Sequence, residues 1–565
     1  MENFMTNAAS YPWIKSYPPG LDWAQDIPVR PVYEILDQTV RDYGDRPGMD
    51  FMGKKQKWGD LGDQVNRMAK GLQGMGVGKG TRVGLFLPNC PFYLISYYAI
   101  LKAGGTVVNL NPLYAKKELM HLVEDSSAEI VVTANLAMLY DKIHEVLHET
   151  NLRKLVMCRF ASALPFPKSI LFPLVKRKDI AKIQHAGEQI WFDDLLNNDG
   201  RPTPVAIDPH EDIAVLQYTG GTTGVPKGAM LTHANISANV EQSAMWFPGK
   251  KPGEEKMLGV LPFFHVFAMT AVMNMSVRNA FELITIPRFE LDATLKLIAS
   301  HKPHYFPAVP AIYNAINNHP KLADFDLKSL RYCVSGGAPL PVEVKKTFEK
   351  NTGCVVVEGY GLTESSPVVC ANPIVGENKP GSIGMPLPGT VVEIIDAEDK
   401  TTRVKPGERG ELCVRGPQVM KGYLNKPDDS ASVLKDGVLY TGDVAIMDDE
   451  GYVFIVDRIK DMIITNGYKV YPRNVEEAIY QHTAVEECIV AGIKDESRGE
   501  IVKAWVKPKA GQSVSSDALK DFLKDKISPM EIPRQVEIRT EPLPKTMIGK
   551  LSRKDILEQE AAKKA

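Results

Sequence analysis

A segment rich in glycine, threonine and lysine runs from Tyr218 to Gly228. Its glycines allow tight turns that present backbone N–H groups to an anion, and its hydroxyl and ammonium groups add further donors. The residues that would hold phosphate are Thr219, Gly220, Gly221, Thr222, Thr223, Gly224 and Lys227. The segment is not a Walker A loop, because its lysine follows a proline and no Ser or Thr comes next. We interpret it as a phosphate cradle, and a flexible surface loop of small polar residues is the alternative.

A second segment, residues 358–366, combines an aromatic ring, a hydroxyl group and a carboxylate after a run of valines. Tyr360 offers a flat face to a base, and Thr363 offers a hydroxyl. Glu364 supplies the hard oxygen that Mg²⁺ prefers beside phosphates. Residues 335–339 contain two glycines, which let the backbone approach a ligand closely. Taken alone, either segment is equally well explained as an ordinary turn after a strand.

Three charged residues in the second half of the sequence are candidates for the same nucleotide. Asp443 comes just past a predicted turn and suits a ribose diol, and Arg458 could add a guanidinium. Lys550 lies on a Gly-containing segment near the C-terminus, and such a lysine can enter a cleft and stabilise developing negative charge. Considered separately, a solvated turn, a surface ion pair and a basic tail explain them as well.

Short β-branched runs alternate with helical patterns through most of the sequence. The runs are residues 82–87, 107–108, 129–133, 213–217, 331–334 and 354–357. This alternation predicts an α/β fold with a largely parallel sheet covered by helices on both faces. Ligands of such sheets gather at the carboxyl ends of strands. Several Gly-rich segments directly follow these runs, which places the candidate chemistry at that edge.

The sequence changes in character near Asp457, where a charged cluster begins. The residues beyond it have a small-domain pattern, with strands predicted at 485–493 and 501–506 and a helix capped by Ser516. A chain of 565 residues is too long for one core. We therefore predict a large domain of residues 1–456, a hinge of residues 457–462 and a small domain of residues 463–565.

The overall composition is that of a soluble globular protein, with 44% apolar and 24% charged residues. The 67 basic residues balance the 69 acidic ones, so no broad field attracts nucleic acid. The first residues lack the apolar core of a secretory signal, and no run approaches the roughly 18 apolar residues of a membrane span. The seven cysteines are scattered without a CxxC pair, which argues against disulfides and structural zinc. We expect a cytoplasmic protein without a nucleic-acid partner.

In their order along the chain, these segments resemble the acyl-adenylate-forming enzymes. That superfamily includes acyl-CoA synthetases, firefly luciferase and the adenylation domains of peptide synthetases. The resemblance extends from near Arg30 to Ile556, and residues 217–228, 262–265 and 416–420 look most like those of bacterial long-chain fatty-acid–CoA ligases. It implies a large N-terminal α/β domain and a small, mobile α+β lid. The implied activity joins a long-chain fatty acid to coenzyme A with ATP, through an acyl-AMP intermediate.

The resemblance assigns the candidate residues to ATP and Mg²⁺. The metal would bind Glu364 together with Thr219, and the loop of residues 219–227 would hold the phosphates. The residues implied around adenine, the α-phosphate and the ribose are Gly337, Glu358, Gly359, Tyr360, Thr363, Asp443, Arg458 and Lys460. The residues implied in catalysis are Lys550, Glu364, Lys227 and His265, with His265 beside the carboxylate.

The resemblance also implies that the lid turns between two steps. Asp457 matches the hinge, Lys550 the lysine that assists adenylation, and Gly467 the glycine beside the tunnel for the pantetheine of coenzyme A. Rotation would withdraw the lysine and bring the glycine into place. A glycine is needed there because any side chain would narrow the tunnel.

Two apolar segments bear on the fatty acid itself. Phe263, Phe264, Phe267, Ala268 and Met269 surround His265 and suit an aliphatic chain, although we expect at least half of them to be core residues. Residues 169–175 precede the basic residues 176–178, a pattern that suits an anionic membrane interface. We favour the interpretation of this segment as a buried stretch flanked by solvated charge. Peripheral contact with the inner face of the membrane is the alternative. A homodimer is also open, since dimers occur in relatives.

Other activities stay open at this point. They are ligation of a medium-chain or aromatic acid such as 4-coumarate, acyl delivery to a carrier protein, a luciferase-like oxygenase, and a sensor that binds acyl-adenylate without turnover. Lys550 and Glu364 argue against the sensor. Pyrophosphate release with a fatty acid discriminates, because a sensor would release none.

Overall fold

The structure, a computed structural model, describes residues 11–183, 187–219, 226–495, 498–546 and 550–564. Five glycines and threonines of the predicted phosphate cradle, Gly220, Gly221, Thr222, Thr223 and Gly224, lie outside the described residues. The two ends of that cradle, Thr219 and Lys227, lie inside them.

The strands form four sheets and fall mainly on the β-branched runs of the sequence. In chain order, the strands of the first half are β1 (Pro47–Phe51), β2 (Lys54–Lys57), β3 (Arg82–Phe86), β4 (Thr106–Asn109), β5 (Ile130–Ala134), β6 (Lys154–Cys158), β7 (Gln189–Trp191), β8 (Ile213–Thr219), β9 (Lys227–Thr232), β10 (Lys256–Gly259) and β11 (Glu282–Thr285). Those of the second half are β12 (Tyr305–Ala308), β13 (Tyr332–Ser335), β14 (Val355–Gly361), β15 (Val368–Ala371), β16 (Met385–Pro386), β17 (Val391–Ile395), β18 (Gly410–Arg415), β19 (Leu434–Lys435), β20 (Val438–Met447), β21 (Val453–Arg458), β22 (Ile463–Thr465), β23 (Tyr468–Val470), β24 (Val485–Asp495), β25 (Gly499–Pro508) and β26 (Gln535–Ile538).

Helices connect most of these strands. In chain order, they are α1 (Tyr33–Tyr43), α2 (Trp58–Gly74), α3 (Pro91–Lys102), α4 (Lys116–Ser126), α5 (Ala137–Glu149), α6 (Lys168–Val175), α7 (Phe192–Leu195), α8 (His233–Met245), α9 (Val266–Ala268), α10 (Met275–Arg278), α11 (Leu291–His301), α12 (Pro310–Asn317), α13 (Val342–Thr352), α14 (Pro427–Val433), α15 (Pro472–Tyr480), α16 (Ser516–Leu523) and α17 (Arg553–Lys564). Helices α9 and α10 are joined by the π-helical segment Met269–Asn274.

Two large sheets, both mostly parallel, carry the N-terminal part of the chain. One has nine strands in the order β16-β15-β14-β13-β12-β10-β11-β1-β2, and the other has seven in the order β7-β6-β5-β3-β4-β8-β9. Among the strands that the structure describes in these two sheets, antiparallel pairs occur only toward the edges, at β2, β15, β16 and β9. The predicted α/β fold is confirmed. It consists of two such sheets, followed by an antiparallel sheet of β17, β18, β20, β19 and β21.

Helices α3 and α8 are buried along almost their whole length, for different reasons. Helix α3 is nearly all apolar, which confirms the buried helix expected around residues 94–103. Helix α8 buries amide side chains that donate to distant backbone oxygens: Asn235 to Pro417 at 2.8 Å, and Asn239 to Val368 at 2.8 Å. Buried amides need such partners. These bonds fix strand β15 and the segment after β18 against the helix.

The chain passes from the antiparallel sheet to a separate C-terminal sheet within a few residues. Strand β21 ends at Arg458, one 3₁₀ turn spans Ile459–Asp461, and β22 begins at Ile463. The C-terminal sheet has the order β23-β22-β25-β24, with β26 beside β25, and packs α15 and α16 around its own apolar core. We call this unit the lid.

The helix predicted at Ser516 has its cap one residue earlier. The Ser515 Oγ accepts a hydrogen bond from the Ala518 N–H at 3.1 Å, and Ser516 is the first residue of α16. The sequence alone does not distinguish the two adjacent serines as the N-cap residue, because either can cap a helix.

Among the described residues, no helix is both long and apolar enough to cross a membrane. All seven cysteines are free and buried.

Candidate active site

One cavity of about 1530 Å³ lies between the two large sheets, the antiparallel sheet and the lid. It is larger than the roughly 300–1,000 Å³ of a pocket for one small ligand, so it has room for two substrates. Of the predicted site residues that the structure describes, it is lined by Thr219, Lys227, His265, Gly337, Glu358, Gly359, Tyr360, Thr363, Glu364, Asp443, Arg458, Lys460 and Lys550. The structure therefore brings together residues that the sequence separates by more than 300 positions.

The two ends of the predicted phosphate cradle are held side by side. Strand β8 ends at Thr219 and β9 begins at Lys227, and these two residues are antiparallel partners. The Lys227 ammonium donates to the Asp429 carboxylate at 2.5 Å and lies 5.3 Å from the centre of the Tyr423 ring. The lysine is half exposed, so an anion in the cavity can compete with the aspartate for it.

Glu364 is oriented by Tyr423, a residue that no motif in the sequence indicated. The Tyr423 hydroxyl donates to one Glu364 carboxylate oxygen at 2.6 Å. The second oxygen is then available to a ligand in the cavity. Gly361, at the end of β14, lets the chain turn tightly into this position, because a Cβ there would lie 2.0 Å from the Pro367 oxygen.

The donor set around Glu364 fits Mg²⁺. One carboxylate oxygen and the nearby hydroxyl of Thr219 are hard ligands, and Mg²⁺ in such sites takes one or two protein ligands with phosphates and water. The described part of the chain contains no cluster of three or more His, Cys, Asp or Glu residues that could hold a metal.

Asp443 sits between a tyrosine and an arginine. The Tyr360 hydroxyl donates to one carboxylate oxygen at 2.5 Å, and the Arg458 Nε lies 3.1 Å from the other. Burial and the aspartate charge raise the pKa of Tyr360, so the phenol stays protonated and donates. The pairing of β20 with β21 places Asp443 directly opposite Arg458.

The sequence interpretation of residues 440–443 as a turn was wrong. These residues lie inside β20, where Gly442 has a φ of +73° and the pairing with β18 shifts register. The Gly442 N–H donates to the Glu411 carboxylate at 3.0 Å. A glycine in an irregular strand and a glycine in a turn look the same in sequence.

Residues 358–361 likewise continue a strand. Strand β14 pairs in parallel with β13 as far as Glu358 and then in antiparallel with β15 from Gly359. The Glu358 carboxylate accepts from the Leu340 N–H at 3.1 Å, which ties the loop of Gly337 to the strand. Burial raises the pKa of Glu358 from 4.5 to about 7. Gly337 has a φ of +77°, a conformation that favours glycine.

His265, near the middle of the chain, and Lys550, near its C-terminal end, line the same cavity and interact electrostatically. Burial and the Arg458 charge lower the pKa of Lys550 from 10.5 to about 8. Burial and the Lys550 charge lower the pKa of His265 from 6.5 to about 4, so the imidazole is neutral at pH 7. The His265 Nδ1 accepts from the Phe267 N–H at 3.3 Å, which leaves the proton on Nε2.

A partly buried ion-pair network joins the segment that follows Lys550 to the junction before the lid. Arg553, the first residue of α17, contacts Asp457 at 3.2 Å, Asp461 at 3.1 Å and Glu476 at 2.8 Å. The second Asp457 oxygen accepts from the Arg473 N–H at 2.8 Å. The sequence motifs did not identify Arg553. Its position three residues after Lys550 was the feature that could have indicated it. This network holds the segment of Lys550 against the predicted hinge.

Gly467 is the one described site residue that the structure does not bring to the cavity. It lies on the exposed hairpin between β22 and β23, with a φ of +79° and no described atom within 4 Å of the point where a Cβ would lie. Ile464 and Tyr468 on the same hairpin are 50% and 60% exposed. In this arrangement of the lid, the cavity therefore receives Lys550 and not Gly467.

Part of the cavity is apolar, and we call it the apolar end. Its lining there consists of Trp246, Phe247, Met257, Phe264, Phe267, Ala271, Met275, Tyr305 and Tyr332. Of the five residues expected around His265, Phe264 and Phe267 face the cavity, while Phe263, Ala268 and Met269 are buried in the core. The Tyr305 hydroxyl donates to the buried Glu255 carboxylate at 2.7 Å, and Glu255 also pairs with Arg331.

A chain of buried polar side chains positions the segment of His265. Gln217 donates to the Phe264 carbonyl at 2.9 Å, and Asn109 donates to Gln217 at 2.7 Å. Tyr93 in turn donates to Asn109 at 2.6 Å. The signal in the sequence was an amide side chain in the last residues of each of two apolar strands, Asn109 in β4 and Gln217 in β8.

The sequence matches the family model of AMP-binding enzymes over residues 36–424 and that of the AMP-binding enzyme C-terminal domain over residues 474–550. A long-chain-fatty-acid–CoA ligase of Bacillus subtilis (strain 168) is 45% identical over 97% of this chain and 98% of that protein. A long-chain-fatty-acid–CoA ligase of Escherichia coli O157:H7 is 37% identical over 98% of each chain. The crystal structure of ATP-bound MatB from Rhodopseudomonas palustris has a TM-score of 0.82 at 26% identity, covering 94% of this chain and 99% of that chain.

Proposed function

This chain belongs to the family of AMP-binding enzymes, and we propose that it joins a long-chain fatty acid to coenzyme A with ATP, through an acyl-adenylate. AMP and pyrophosphate are the other products. One observation carries the proposal: a single cavity is lined by a charged set and by an apolar set of residues, and His265, which stands between Phe264 and Phe267 in the sequence, feels the charge of Lys550. The names of the relatives from Bacillus subtilis and Escherichia coli support the class of acid.

The first step makes the carboxylate reactive. One carboxylate oxygen attacks the α-phosphorus of ATP, a P–O bond forms, and the bond to pyrophosphate breaks. Both reactants are anionic, so positive charge must already be in place where they meet. Lys550 supplies it from the lid, and a group fixed in advance costs no reorganisation during the reaction. The neutral His265 keeps its Nε2 proton available to the carboxylate.

The nucleotide half of the cavity holds ATP in a fixed orientation. Asp443 accepts from the ribose hydroxyls, and Tyr360 and Arg458 hold the aspartate in place. Gly337 and Gly359 let backbone approach the base and the α-phosphate, because neither carries a side chain. Thr219 and Lys227, at the two ends of the phosphate loop, contact the phosphates.

Mg²⁺ binding is proposed for the oxygen atoms beside the phosphate loop. Glu364 would hold the ion through the oxygen that Tyr423 leaves available, and Thr219 would add a hydroxyl ligand. When bound there, Mg²⁺ neutralises charge on the phosphate oxygens. Tyr423 fixes the orientation of Glu364 whether or not the ion is present.

The second step requires a different arrangement of the lid. The thiol of coenzyme A attacks the acyl carbonyl, a C–S bond forms and AMP leaves with the former carboxylate oxygen. We propose that the lid, residues 463–565, turns about the hinge of residues 457–462 between the two steps. The turn would break the contact of Arg553 with Asp457, withdraw Lys550 and bring the hairpin of Gly467 to the cavity.

We also propose that the enzyme works in the cytoplasm, at the inner face of the membrane. Seven free, buried thiols fit a reducing compartment. The surface that supports membrane contact is described below.

The experiment that tests the function measures AMP formation from ATP and Mg²⁺ across a series of acids, from acetate to oleate plus 4-coumarate. Each acid is assayed with and without coenzyme A, and pyrophosphate is measured in parallel. CoA-dependent AMP formation that peaks at long aliphatic chains is the expected result. A peak at 4-coumarate or a short acid would keep the chemistry and overturn the acid class. No pyrophosphate with any acid would point to a non-catalytic sensor.

A further inference from the structure

Helix α6 exposes most of its apolar side chains. Of the eleven large hydrophobic residues that are exposed in the described chain, five lie between residues 166 and 175. They are Phe166, Ile170, Leu171, Leu174 and Val175. No residue of α6 is buried, so the interpretation of this stretch as part of the core was wrong. An apolar run looks the same in sequence whether it faces the core or a surface.

Within the described chain, the helix contacts the protein through Phe172. Phe172 packs against Phe160, with ring centres 5.6 Å apart. Ile170 and Leu174 are four residues apart, as are Leu171 and Val175, so each pair lies on one stretch of the helix surface. Leu174 and Val175 are 70% and 75% exposed, and Phe166 just before the helix is 80% exposed. Together these side chains form a continuous apolar face.

Basic residues follow this face directly. Lys176, Arg177 and Lys178 are all exposed at its C-terminal end, and Lys168 is exposed at its N-terminal end. Lys176 lies 3.6 Å from Asp179. Arg177 and Lys178 form no ion pair with any residue that the structure describes. The net charge of the whole chain is −2, so this positive charge is a local feature.

We propose that α6 and the adjoining basic residues dock on the surface of an anionic lipid bilayer. The short helix would lie in the plane of the interface, with its exposed apolar side chains among the acyl chains just below the headgroups. The basic residues would sit among anionic headgroups. The choice of a bilayer rests in part on the proposed function, because long-chain fatty acids partition into bilayers.

A second copy of this chain is a poorer occupant of the face. A two-fold dimer would place the same patch against itself and bring the two basic clusters close together, which is unfavourable. Five side chains also fall well short of the roughly 20–30 residues a side of a standard interface. A bilayer needs no such area, since its anionic headgroups attract each basic residue separately.

The test is flotation of the full-length protein with lipid vesicles. One set is pure phosphatidylcholine, and in the other set part of it is replaced by phosphatidylglycerol. We expect the protein to float with the anionic vesicles and largely to stay behind with the neutral ones. Raising the salt concentration from about 0.1 M to about 1 M should weaken binding, because the screening length falls from roughly 10 Å to 3 Å.

Two double variants separate the apolar and the electrostatic parts of the surface. Leu174→Ser/Val175→Ser should lower the partition coefficient about tenfold or more, because both side chains lose their place among the acyl chains. Arg177→Gln/Lys178→Gln should lower it by a similar factor on anionic vesicles only, at about fivefold for each charge. Matched controls are Val375→Ser, an exposed apolar residue elsewhere, and Lys296→Gln/Lys350→Gln, two exposed lysines on other helices.

Each outcome bears on one proposal. Absence of vesicle binding, or equal loss in the control variants, would overturn the docking surface. Conversion of a dimer to a monomer by Leu174→Ser/Val175→Ser in light scattering would assign the face to a second copy and also overturn it. AMP formation with detergent-solubilised fatty acid should be unchanged in all four variants. Ligase activity without vesicle binding would support the proposed function and contradict the docking surface. Vesicle binding without ligase activity would support the docking surface and contradict the proposed function.

Discussion

The charged end of the cavity and its apolar end hold their side chains in place in different ways. At the charged end three groups have a directional partner: Tyr360 bonds Asp443, Tyr423 bonds Glu364, and Asp429 holds Lys227. The residues of the apolar end come from many elements and are placed by packing. Packing is the sum of many weak contacts, whereas a fixed charge acts at one point. Substitution of a single residue at the charged end should therefore change the reaction rate. Substitution of a single residue at the apolar end should change which acid the enzyme prefers.

The largest effect should come from Lys550→Ala, which removes the positive charge that acts on His265. Loss of one preorganised stabilising group typically costs about 10²–10³-fold in rate. We expect that loss in acid-dependent exchange of pyrophosphate into ATP, which reports the first step alone. Thioester formation from separately supplied acyl-AMP should change little, because the lysine is withdrawn in that step. An equal loss in both steps would mean that Lys550 has a general structural role.

Asp443→Asn should have the next largest effect, on ATP and not on the acid. The variant leaves the partly buried Arg458 without its carboxylate, and removing one partner of such a pair costs about 2–5 kcal/mol. We expect the KM for ATP to rise by roughly 30-fold or more, from the lower end of that range. Asp449→Asn, an exposed acid in the turn that follows the same strand, is the control. An equal rise in the KM for the fatty acid would contradict the separate roles of the two ends of the cavity.

The pH dependence of adenylation should follow the titration of Lys550. Its pKa of about 8 means that the ammonium is charged below pH 8 and loses its proton above it. The value of kcat/KM reports the free enzyme, so it should fall about tenfold per pH unit above that point. Lys550→Arg keeps the charge at all these pH values and should remove the descending limb, even if its rate is lower. A limb that persists in Lys550→Arg would belong to another group.

Ala271→Leu tests the apolar end with a change that adds bulk and no charge. Ala271 lines the cavity on the π-helical segment, so a larger side chain should shorten the space for the acyl chain. One methylene in such a pocket is worth about 1–3 kcal/mol, so the preference should shift by about tenfold from long toward medium chains. The KM for ATP should not change. Met275→Leu, which conserves volume in the same region, is the control and should shift the preference little.

The difference between directional partners at the charged end and packing at the apolar end also explains how much of the site the sequence could predict. The charged end uses short motifs whose order along the chain is specific, and the fold uses local periodicities, so both were predicted. The lining of the apolar end spans residues 246 to 332 without a motif, and only Phe264 and Phe267 were expected there. The stretch of residues 169–175 was assigned to the core because composition does not show which side of an apolar segment meets the protein. The position of Gly467 depends on the arrangement of the lid, which no local pattern encodes.

Tyr423→Phe should give the smallest effect and tests whether the charged end depends on orientation as well as charge. The change removes one hydrogen bond to Glu364 and keeps the ring beside Lys227. A net hydrogen bond is worth about 1 kcal/mol, so the Mg²⁺ concentration for half-maximal AMP formation should rise by roughly fivefold. Tyr440→Phe, which loses a hydroxyl bonded to the Lys400 carbonyl at 3.2 Å, is the control and should leave it unchanged. An unchanged Mg²⁺ requirement in Tyr423→Phe would mean that Glu364 needs no partner, and that its charge alone is enough.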